Sequence, residues 1–295
     1  MDIFFKILIK DTIIRQYIIK VLTKHPLPTC VAKGYLKCFS KYKLRWLFMK
    51  QNIYDNEKFF NEYQSMRKQE INANELLEKP TIRKILPNLK GKRILDLGCG
   101  AGEFCKYALD NGAEFVIGTD ISQNMIGQAK KLENEKIKFK VLAMEDITTL
   151  NQTFDVVVSS LAFHYVKDFD KLIKDINSCL SVGGQLVFSQ EHPIGTSFIP
   201  VNKNLEKKIY IDGKIYYLVS DYNNSGKRIS NWNVDGVIKY HRSFSELINT
   251  LIKNGFKIDE IVENTYSEDV VKKAPKYKNQ LDKPYFIFIK ATKIK

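Results

Sequence analysis

The stretch Arg93-Ile-Leu-Asp-Leu-Gly-Cys-Gly-Ala-Gly102 decides the fold of this 295-residue chain. Its first four residues predict a short buried strand that opens a parallel sheet. Glycines then follow at every second position, where the backbone can turn sharply and a ligand can approach the main chain without meeting a Cβ atom. A predicted helix over 103–111 directs its free N–H groups at this loop. The stretch therefore predicts an anion-binding turn suited to a carboxylate or a phosphate.

The spacing of the glycines separates this turn from other glycine-rich loops. A dinucleotide fingerprint, G-x-G-x-x-G, would need its third glycine at the position of Glu103. A Walker loop would need G-K-[ST], which the sequence lacks. Instead, the acidic Asp96 near the strand end precedes glycines at period two, namely Gly98, Gly100 and Gly102.

A second apolar strand, predicted over 114–119, ends beside Asp120. A carboxylate at the tip of this strand can accept hydrogen bonds from both hydroxyls of a ribose. Taken in order, the features of residues 93–120 closely resemble the cofactor-binding signature of class I S-adenosylmethionine-dependent methyltransferases. The resemblance covers about 54–291 and implies S-adenosylmethionine as cofactor and S-adenosylhomocysteine as product.

Strands and helices alternate from residue 93 to residue 190, which predicts an α/β fold with a doubly wound parallel sheet. The resemblance implies a seven-stranded, mostly parallel sheet whose last strand, over 285–290, is antiparallel. Asp212-Gly213 lies between two apolar runs and predicts a β-hairpin, and Asp235-Gly236 predicts a second turn. We therefore expect a hairpin insertion after strand five, over 193–240, that covers the substrate.

Positive charge is concentrated at the start of the chain. Residues 1–50 carry eleven Lys or Arg against two acidic side chains, a balance of +9 out of a total of +14. Apolar spacing predicts basic amphipathic helices over 3–24 and 29–49, and hence a helical extension over 1–52 ahead of a methyltransferase domain over 53–295. The extension suits a membrane surface or nucleic acid. The alternative, which we favour, is a helical pair that packs on the catalytic domain or forms a dimer contact.

Composition limits which classes of protein this chain can belong to. Five cysteines without a CxxC pair and four scattered histidines predict neither a disulfide framework nor a metal site, and they fit a reducing cytoplasm. No uninterrupted apolar run reaches about 18 residues, so no transmembrane helix is expected. The oligomeric state cannot be inferred from the sequence.

The resemblance assigns cofactor contacts to matching positions. The three glycines are expected to approach the methionine and ribose parts, with Asp96 near the amino group and Asp120 on the ribose hydroxyls. An aromatic residue and an arginine often reach over the cofactor in this family. Tyr63 and Arg67 share one helix face, so Arg67 could pair with the methionine carboxylate. The alternative is an exposed arginine beside a core tyrosine.

The adenine side is assigned in the same way. Ile121 and Met125 are expected to pack on the adenine face, and Met144-Glu145-Asp146 occupies the loop at the adenine edge. Many relatives carry an aspartate where this chain has Ala143. Glu145 or main-chain groups would then have to contact the adenine amino group, or the loop is simply solvated.

Beyond the fourth predicted strand, over 154–159, Ser160 is expected to line the cofactor site. The motif [DN]-P-P-[YFW], which grips exocyclic amines of bases, is absent there, and this argues against base N-methylation. The segment Ser159 to Tyr165 instead resembles a bacterial subgroup that acts mainly on small molecules or modified peptides. We expect direct displacement onto an N or O nucleophile, which requires alignment and exclusion of water. The alternatives are an RNA- or protein-directed enzyme and a non-catalytic, cofactor-binding or membrane-associated scaffold.

Candidate catalytic residues are His164, Glu191, His192 and His241, which fall at strand ends or on the insertion. A neutral histidine can take a proton from a hydroxyl or ammonium nucleophile near pH 7, and Glu191 could steer a cationic amine. In the alternative, His164 caps a turn and His192 with Pro193 shapes the strand exit.

Overall fold

The computed structural model describes residues 52–67, 71–199, 208–232, 234–264, 266–280 and 283–295. All of them belong to one compact unit, Gln51–Lys295. The predicted helices over 3–24 and 29–49, and with them nearly all of the predicted extension over 1–52, lie outside the described residues.

Helices and strands follow the predicted order. The lead-in contains α1 (Glu57–Arg67), a π-helical turn (Asn74–Glu78) and α2 (Lys79–Ile85). The alternating core comprises β1 (Arg93–Leu97), α3 (Glu103–Asp110), β2 (Phe115–Asp120), α4 (Gln123–Ala129), β3 (Ile137–Val141), β4 (Phe154–Ser159), α5 (Phe169–Cys179) and β5 (Leu180–Glu191). The insertion supplies α6 (Pro193–Ser197), β6 (Lys208–Ile211), β7 (Lys214–Tyr217), β8 (Gly226–Trp232) and β9 (Val234–His241). The chain closes with α7 (Phe244–Lys253), β10 (Phe256–Asn264), α8 (Glu268–Lys273) and β11 (Phe286–Lys293).

Within the described residues, the main sheet has seven strands in the order β10-β11-β5-β4-β1-β2-β3. The central strands pair in parallel, whereas β11 runs antiparallel to both β5 and β10. This confirms the predicted doubly wound, mostly parallel sheet. Strand order reverses between β1 and β4, so a crevice is expected at the carboxyl ends of these strands.

Helices cover both faces of the sheet, because successive residues of a buried strand point to opposite sides. One face packs on α5 and α7, through residues such as Ile173 and Leu247. The other packs on α2, α3 and α4, through Ile82, Ala108 and Ile126. The helix starts are fixed by side-chain caps: Ser122 caps α4, and Asp168 caps α5.

The insertion differs from the prediction in one respect. Asp212 and Gly213, with φ of 49° and 75°, form the predicted tight turn between β6 and β7. The turn predicted at Asp235-Gly236 is wrong, because these residues lie inside β9. Trp232 pairs with Val234. Strands β8 and β9 therefore form a second antiparallel pair in addition to the predicted β6–β7 hairpin.

Candidate active site

The loop between β1 and α3 requires its glycines for two different reasons. Gly98, Gly100 and Gly102 have φ of 74°, 53° and 82°, which L side chains rarely adopt. A Cβ atom on Gly98 would lie 2.7 Å from Ala162 Cβ, and one on Gly102 would lie 2.6 Å from the ring of Phe139. A Cβ atom on Gly100 would meet no atom within 4 Å. Packing therefore requires the outer two glycines, whereas the central one faces open space.

Asp120 ties this loop to the end of β2. Its Oδ2 accepts a hydrogen bond from Gly100 N at 3.0 Å, and its Oδ1 accepts one from Ser122 N at 2.8 Å. Burial raises the pKa of this carboxyl, and the two backbone donors oppose that change. A carboxylate has about four acceptor positions, so Asp120 keeps the capacity to accept ribose hydroxyls.

Asp96 is buried on the side of β1 that faces α3. Its Oδ2 accepts a hydrogen bond from Cys105 Sγ at 3.4 Å. Burial raises the pKa of Asp96 to about 7, and the nearby charges of Asp120 and Glu78 add to the effect. Asp96, which is predicted to contact the cofactor's amino group, therefore lies near two other acidic side chains, Asp120 and Glu78.

Glu78 is the acidic residue that sequence reasoning missed. Its side chain comes from the π-helical turn, is 2% exposed, and reaches the carboxyl ends of β4 and β5. There its Oε1 accepts hydrogen bonds from Ser160 Oγ at 2.5 Å and Ser189 Oγ at 2.8 Å. Burial raises the pKa of Glu78, and the serine hydroxyls lower it. Ser160, which is predicted to line the cofactor site, thus donates a hydrogen bond to Glu78, 82 positions earlier in the chain.

The lead-in helix α1 brings Tyr63 and Arg67 to the same crevice. Arg67 Nη2 donates to Glu103 Oε2 at 2.7 Å, and Lys79 forms an ion pair with the same carboxylate. The Tyr63 ring meets the edge of the Tyr54 ring at a centroid distance of 5.1 Å. Arg67 therefore lies beside the first residue of α3, already paired. Its predicted contact with the methionine carboxylate stays a prediction.

The residues predicted for adenine follow β2 and β3. Ile121 is half-buried directly after Asp120, whereas Met125 is almost fully buried within α4. Met144 is half-buried, and its Cε atom lies 3.5 Å from where a Cβ on Gly98 would be. Glu145 is half-buried as well. Met144 therefore reaches the glycine loop, and the adenine contacts stay predictions.

On the acceptor side, His164 is buried at the end of the β4 connection. Its Nδ1 accepts a hydrogen bond from Glu191 N at 3.4 Å. An imidazole that accepts at Nδ1 carries its proton on Nε2, as inferred from this hydrogen bond. Burial lowers the pKa of His164 to about 4. The ring is therefore neutral near pH 7 and poorly suited to accept a second proton.

His192 is held on both sides of its ring. Its Nδ1 accepts a hydrogen bond from Ile194 N at 3.2 Å and so caps α6. Its Nε2 lies 2.5 Å from Glu263 Oε1 on β10. Burial lowers the pKa of this histidine. The geometry matches the alternative in which His192 shapes the strand exit.

His241, at the end of β9, is also occupied at both nitrogens. Its Nδ1 lies 2.8 Å from Thr196 Oγ1, and its Nε2 lies 2.9 Å from the carbonyl oxygen of Tyr222. Burial lowers the pKa of His241. This ring joins α6, β9 and the loop before β8.

Glu191 ends β5 and forms an ion pair with Lys239 of β9. The Glu191 side chain is 29% exposed and the Lys239 side chain 10%. Tyr54 and Tyr165 lie close enough to affect each other's pKa, and burial together with the charge of Glu191 raises the pKa of Tyr165. Polar groups from four separate segments of the chain thus lie near the end of β5.

The buried acids beside the glycine loop fit the charge of S-adenosylmethionine. Glu78, Asp96 and Asp120 are all buried, and none has an ion-pair partner among the described residues. An anionic nucleotide would be repelled here, whereas a cofactor with sulfonium and ammonium charges would be attracted. The space beside Gly100 is open, since an added Cβ atom there would meet no atom within 4 Å. The same described residues contain no group of His, Cys, Asp or Glu arranged to hold a metal ion.

Comparisons with known proteins agree with this site. A methyltransferase-domain family matches residues 95–188. A crystal structure of an S-adenosylmethionine-dependent methyltransferase from Mesorhizobium loti is 32% identical, covers 75% of this chain and 98% of its own, and gives a TM-score of 0.65. An uncharacterized protein from Haemophilus influenzae is 39% identical over 258 residues, which are 83% of this chain and 98% of that protein.

A further relative matches over a shorter span. The ubiquinone biosynthesis O-methyltransferase of Coxiella burnetii is 30% identical over 125 residues, which are 41% of this chain and 49% of that enzyme. The chain belongs to the class I S-adenosylmethionine-dependent methyltransferases. It is a methyl-transferring enzyme whose cofactor is S-adenosylmethionine, as the sequence predicted. None of the described helices is long and apolar enough to cross a membrane.

Proposed function

We propose that this enzyme transfers the methyl group by direct displacement to an N or O nucleophile of a small molecule, natural product or peptide. The supporting observation is the Glu191–Lys239 ion pair, through which the insertion places an almost buried lysine at the end of β5. We assign this pair, together with Tyr54 and Tyr165, to a mouth built from side chains rather than to an open basic surface. Such a mouth suits a compact acceptor.

The residues present would orient the acceptor and exclude water, which is what a direct displacement requires. Glu191 is the acceptor-side acid with an exposed edge, so we assign it to the polar or cationic end of the acceptor. His164, His192 and His241 would support the mouth, because hydrogen bonds already engage their rings. An amine acceptor that has lost its proton needs no further base.

The cofactor would lie across the ends of β1 and β2. We assign its ribose to Asp120, its amino group to the neighbourhood of Asp96, and its close main-chain approach to the loop at Gly100. Ile121 and Met144 would flank the adenine. The aromatic ring of Tyr63 and the charge of Arg67 would cover the methionine part.

Methyl-transfer profiling in a host metabolite extract tests this proposal, with mass spectrometry of the labelled product. We expect a labelled small molecule or peptide. Lys239→Gln should lower the rate at which this acceptor is methylated, while leaving the affinity for S-adenosylhomocysteine within about twofold of that of the parent enzyme. Lys253→Gln, which removes an exposed lysine paired with Asp170, is the matched control and should change neither value. Label confined to macromolecules would contradict the proposal.

A second candidate function is favoured by the balance of +9 in residues 1–50. In an RNA- or protein-directed enzyme this extension would hold the macromolecule. RNA binding would then fall steeply with salt and disappear when residues 1–50 are deleted. Salt-insensitive turnover would exclude it, and co-sedimentation with liposomes would test the membrane alternative.

A further inference from the structure

Glu78 is a buried carboxylate with no cation in direct contact, although the charges of Arg67 and Lys79 lower its pKa from a longer distance. Both hydrogen bonds recorded for its side chain are received by Oε1, from the hydroxyls of Ser160 and Ser189. Within the part of the chain that the structure describes, no lysine, arginine or histidine lies within 4.0 Å of it. Leaving a buried charge without a contacting cation is costly, so the position suits a cation that arrives with a ligand.

The position of Glu78 identifies which part of a ligand it would meet. Ser160 directly follows β4 and Ser189 lies in β5, so the carboxylate is fixed at the carboxyl ends of two adjacent strands. Asp96, near the end of neighbouring β1, is close enough to be affected by the charge of Glu78. Two buried acids therefore lie near the carboxyl ends of neighbouring strands and repel each other. Their repulsion is offset when a cation binds to Glu78.

We propose that Glu78 binds the α-ammonium group of the cofactor's methionine part and acts as its principal counter-charge. The two serine hydroxyls hold Oε1, which leaves Oε2 free to accept from the ammonium. The methionine carboxylate would lie towards Arg67 and the start of α3, and the nucleoside would lie beyond Gly100. This role concerns cofactor binding alone, so it does not depend on which acceptor is methylated.

The test compares two ligands with one substitution, by isothermal titration of the full chain without acceptor. Glu78→Gln keeps the size of the side chain and an oxygen for the serine hydroxyls, but removes the charge. S-adenosylhomocysteine carries the ammonium group, whereas 5′-methylthioadenosine lacks the whole amino-acid part. We expect affinity for S-adenosylhomocysteine to fall about tenfold or more, since a hydrogen bond between charged groups contributes about 1.5–3 kcal/mol. Affinity for 5′-methylthioadenosine should change less than about twofold.

Glu75→Gln is the matched control, because Glu75 belongs to the same π-helical turn but is already paired with Lys79. It should leave both affinities unchanged. An unchanged affinity of Glu78→Gln for S-adenosylhomocysteine would overturn the proposal. An equal loss for both ligands would also overturn it, because Glu78 would then be a structural support for the crevice.

A ligand variant covers the case in which Glu78→Gln does not fold. The parent enzyme is titrated with an S-adenosylhomocysteine analogue that lacks the α-amino group. About tenfold weaker binding than S-adenosylhomocysteine supports the assignment. Equal binding of the two ligands overturns it, because no carboxylate would then recognise the ammonium.

Discussion

The two halves of the crevice are built in different ways. Most of the cofactor half comes from one continuous stretch, 93–120, in which main-chain geometry fixes the glycine loop and the acids beside it, whereas Glu78 reaches this half from the lead-in. The acceptor half is assembled from distant segments: the His192–Glu263 contact spans 71 positions and the Thr196–His241 contact spans 45. A site made by local backbone can be predicted from its sequence pattern, whereas a site made by long-range side-chain pairs cannot.

The largest expected effect lies in the cofactor half, at Asp120. Asp120→Ala should weaken S-adenosylhomocysteine binding by about 4 kcal/mol, roughly a thousandfold, because two hydrogen bonds between ribose hydroxyls and a charged group are lost. Isothermal titration measures this. Asp110→Ala, which removes an exposed carboxylate paired with Lys106, is the control and should bind like the parent. Equal affinity of the two variants would contradict the ribose assignment.

The glycine loop offers a comparison within the cofactor half. Gly102→Ala should destabilise the fold by about 3 kcal/mol, because the new methyl group would lie 2.6 Å from Phe139 in a left-handed conformation. Gly100→Ala should lower the free energy of unfolding by only about 1 kcal/mol, because the new methyl group meets no atom and only the left-handed conformation is unfavourable. The same methyl group should weaken cofactor binding, because it would stand where the cofactor approaches the main chain. Thermal unfolding and titration of both variants separate the two effects. Equal melting temperatures would show that packing does not distinguish these glycines.

The two halves should also respond to pH with opposite signs. The pKa of His164 is lowered to about 4, so the unfolded chain binds more protons between pH 4 and 6.5 and this term raises stability as pH rises. The pKa of Asp96 is raised to about 7, so the folded chain binds more protons between pH 3.8 and 7 and this term lowers stability as pH rises. Each slope is at most about 1.4 kcal/mol per pH unit.

Two variants test these opposite pH dependences of the free energy of unfolding. Relative to the parent, Asp96→Asn should gain stability as pH increases from 4 to 7. His164→Gln should gain relative stability as pH decreases from 6.5 to 4. Melting temperatures measured across this range provide the check. A change of the same sign in both variants would mean that the two side chains do not titrate as their burial implies.

Sequence patterns predicted the fold well because the signals were local. The strand at Arg93–Leu97 and the hairpin turn at Asp212-Gly213 each depend on a few neighbouring residues, and each is present. The turn at Asp235-Gly236 failed because Gly236, with φ of 82°, lies in an irregular part of the β8–β9 ladder. A glycine with positive φ serves a bulge as well as a turn.

The candidate site was predictable on one side only. Asp120 and the glycines carry a spacing that points to their role. Glu78 carries none, because a glutamate before a lysine and a proline at a helix start is typical of a solvated first turn. The histidines were good candidates by residue type, but their partners come from elements far along the chain. Burial and hydrogen bonding cannot be inferred from residue type alone.

The smallest expected effect lies where the lead-in meets the cofactor half. Arg67 is paired with Glu103, whose side chain is 51% exposed, and exposed ion pairs contribute about 0–1 kcal/mol. Glu103→Gln should therefore release Arg67 and tighten S-adenosylhomocysteine binding by a few-fold at most. Arg67→Gln should weaken that binding by a similar factor and leave 5′-methylthioadenosine unaffected, because this ligand has no carboxylate. If neither substitution changes the titrations, Arg67 braces α1 against α3, and the methionine carboxylate is held by the main-chain N–H groups of the loop.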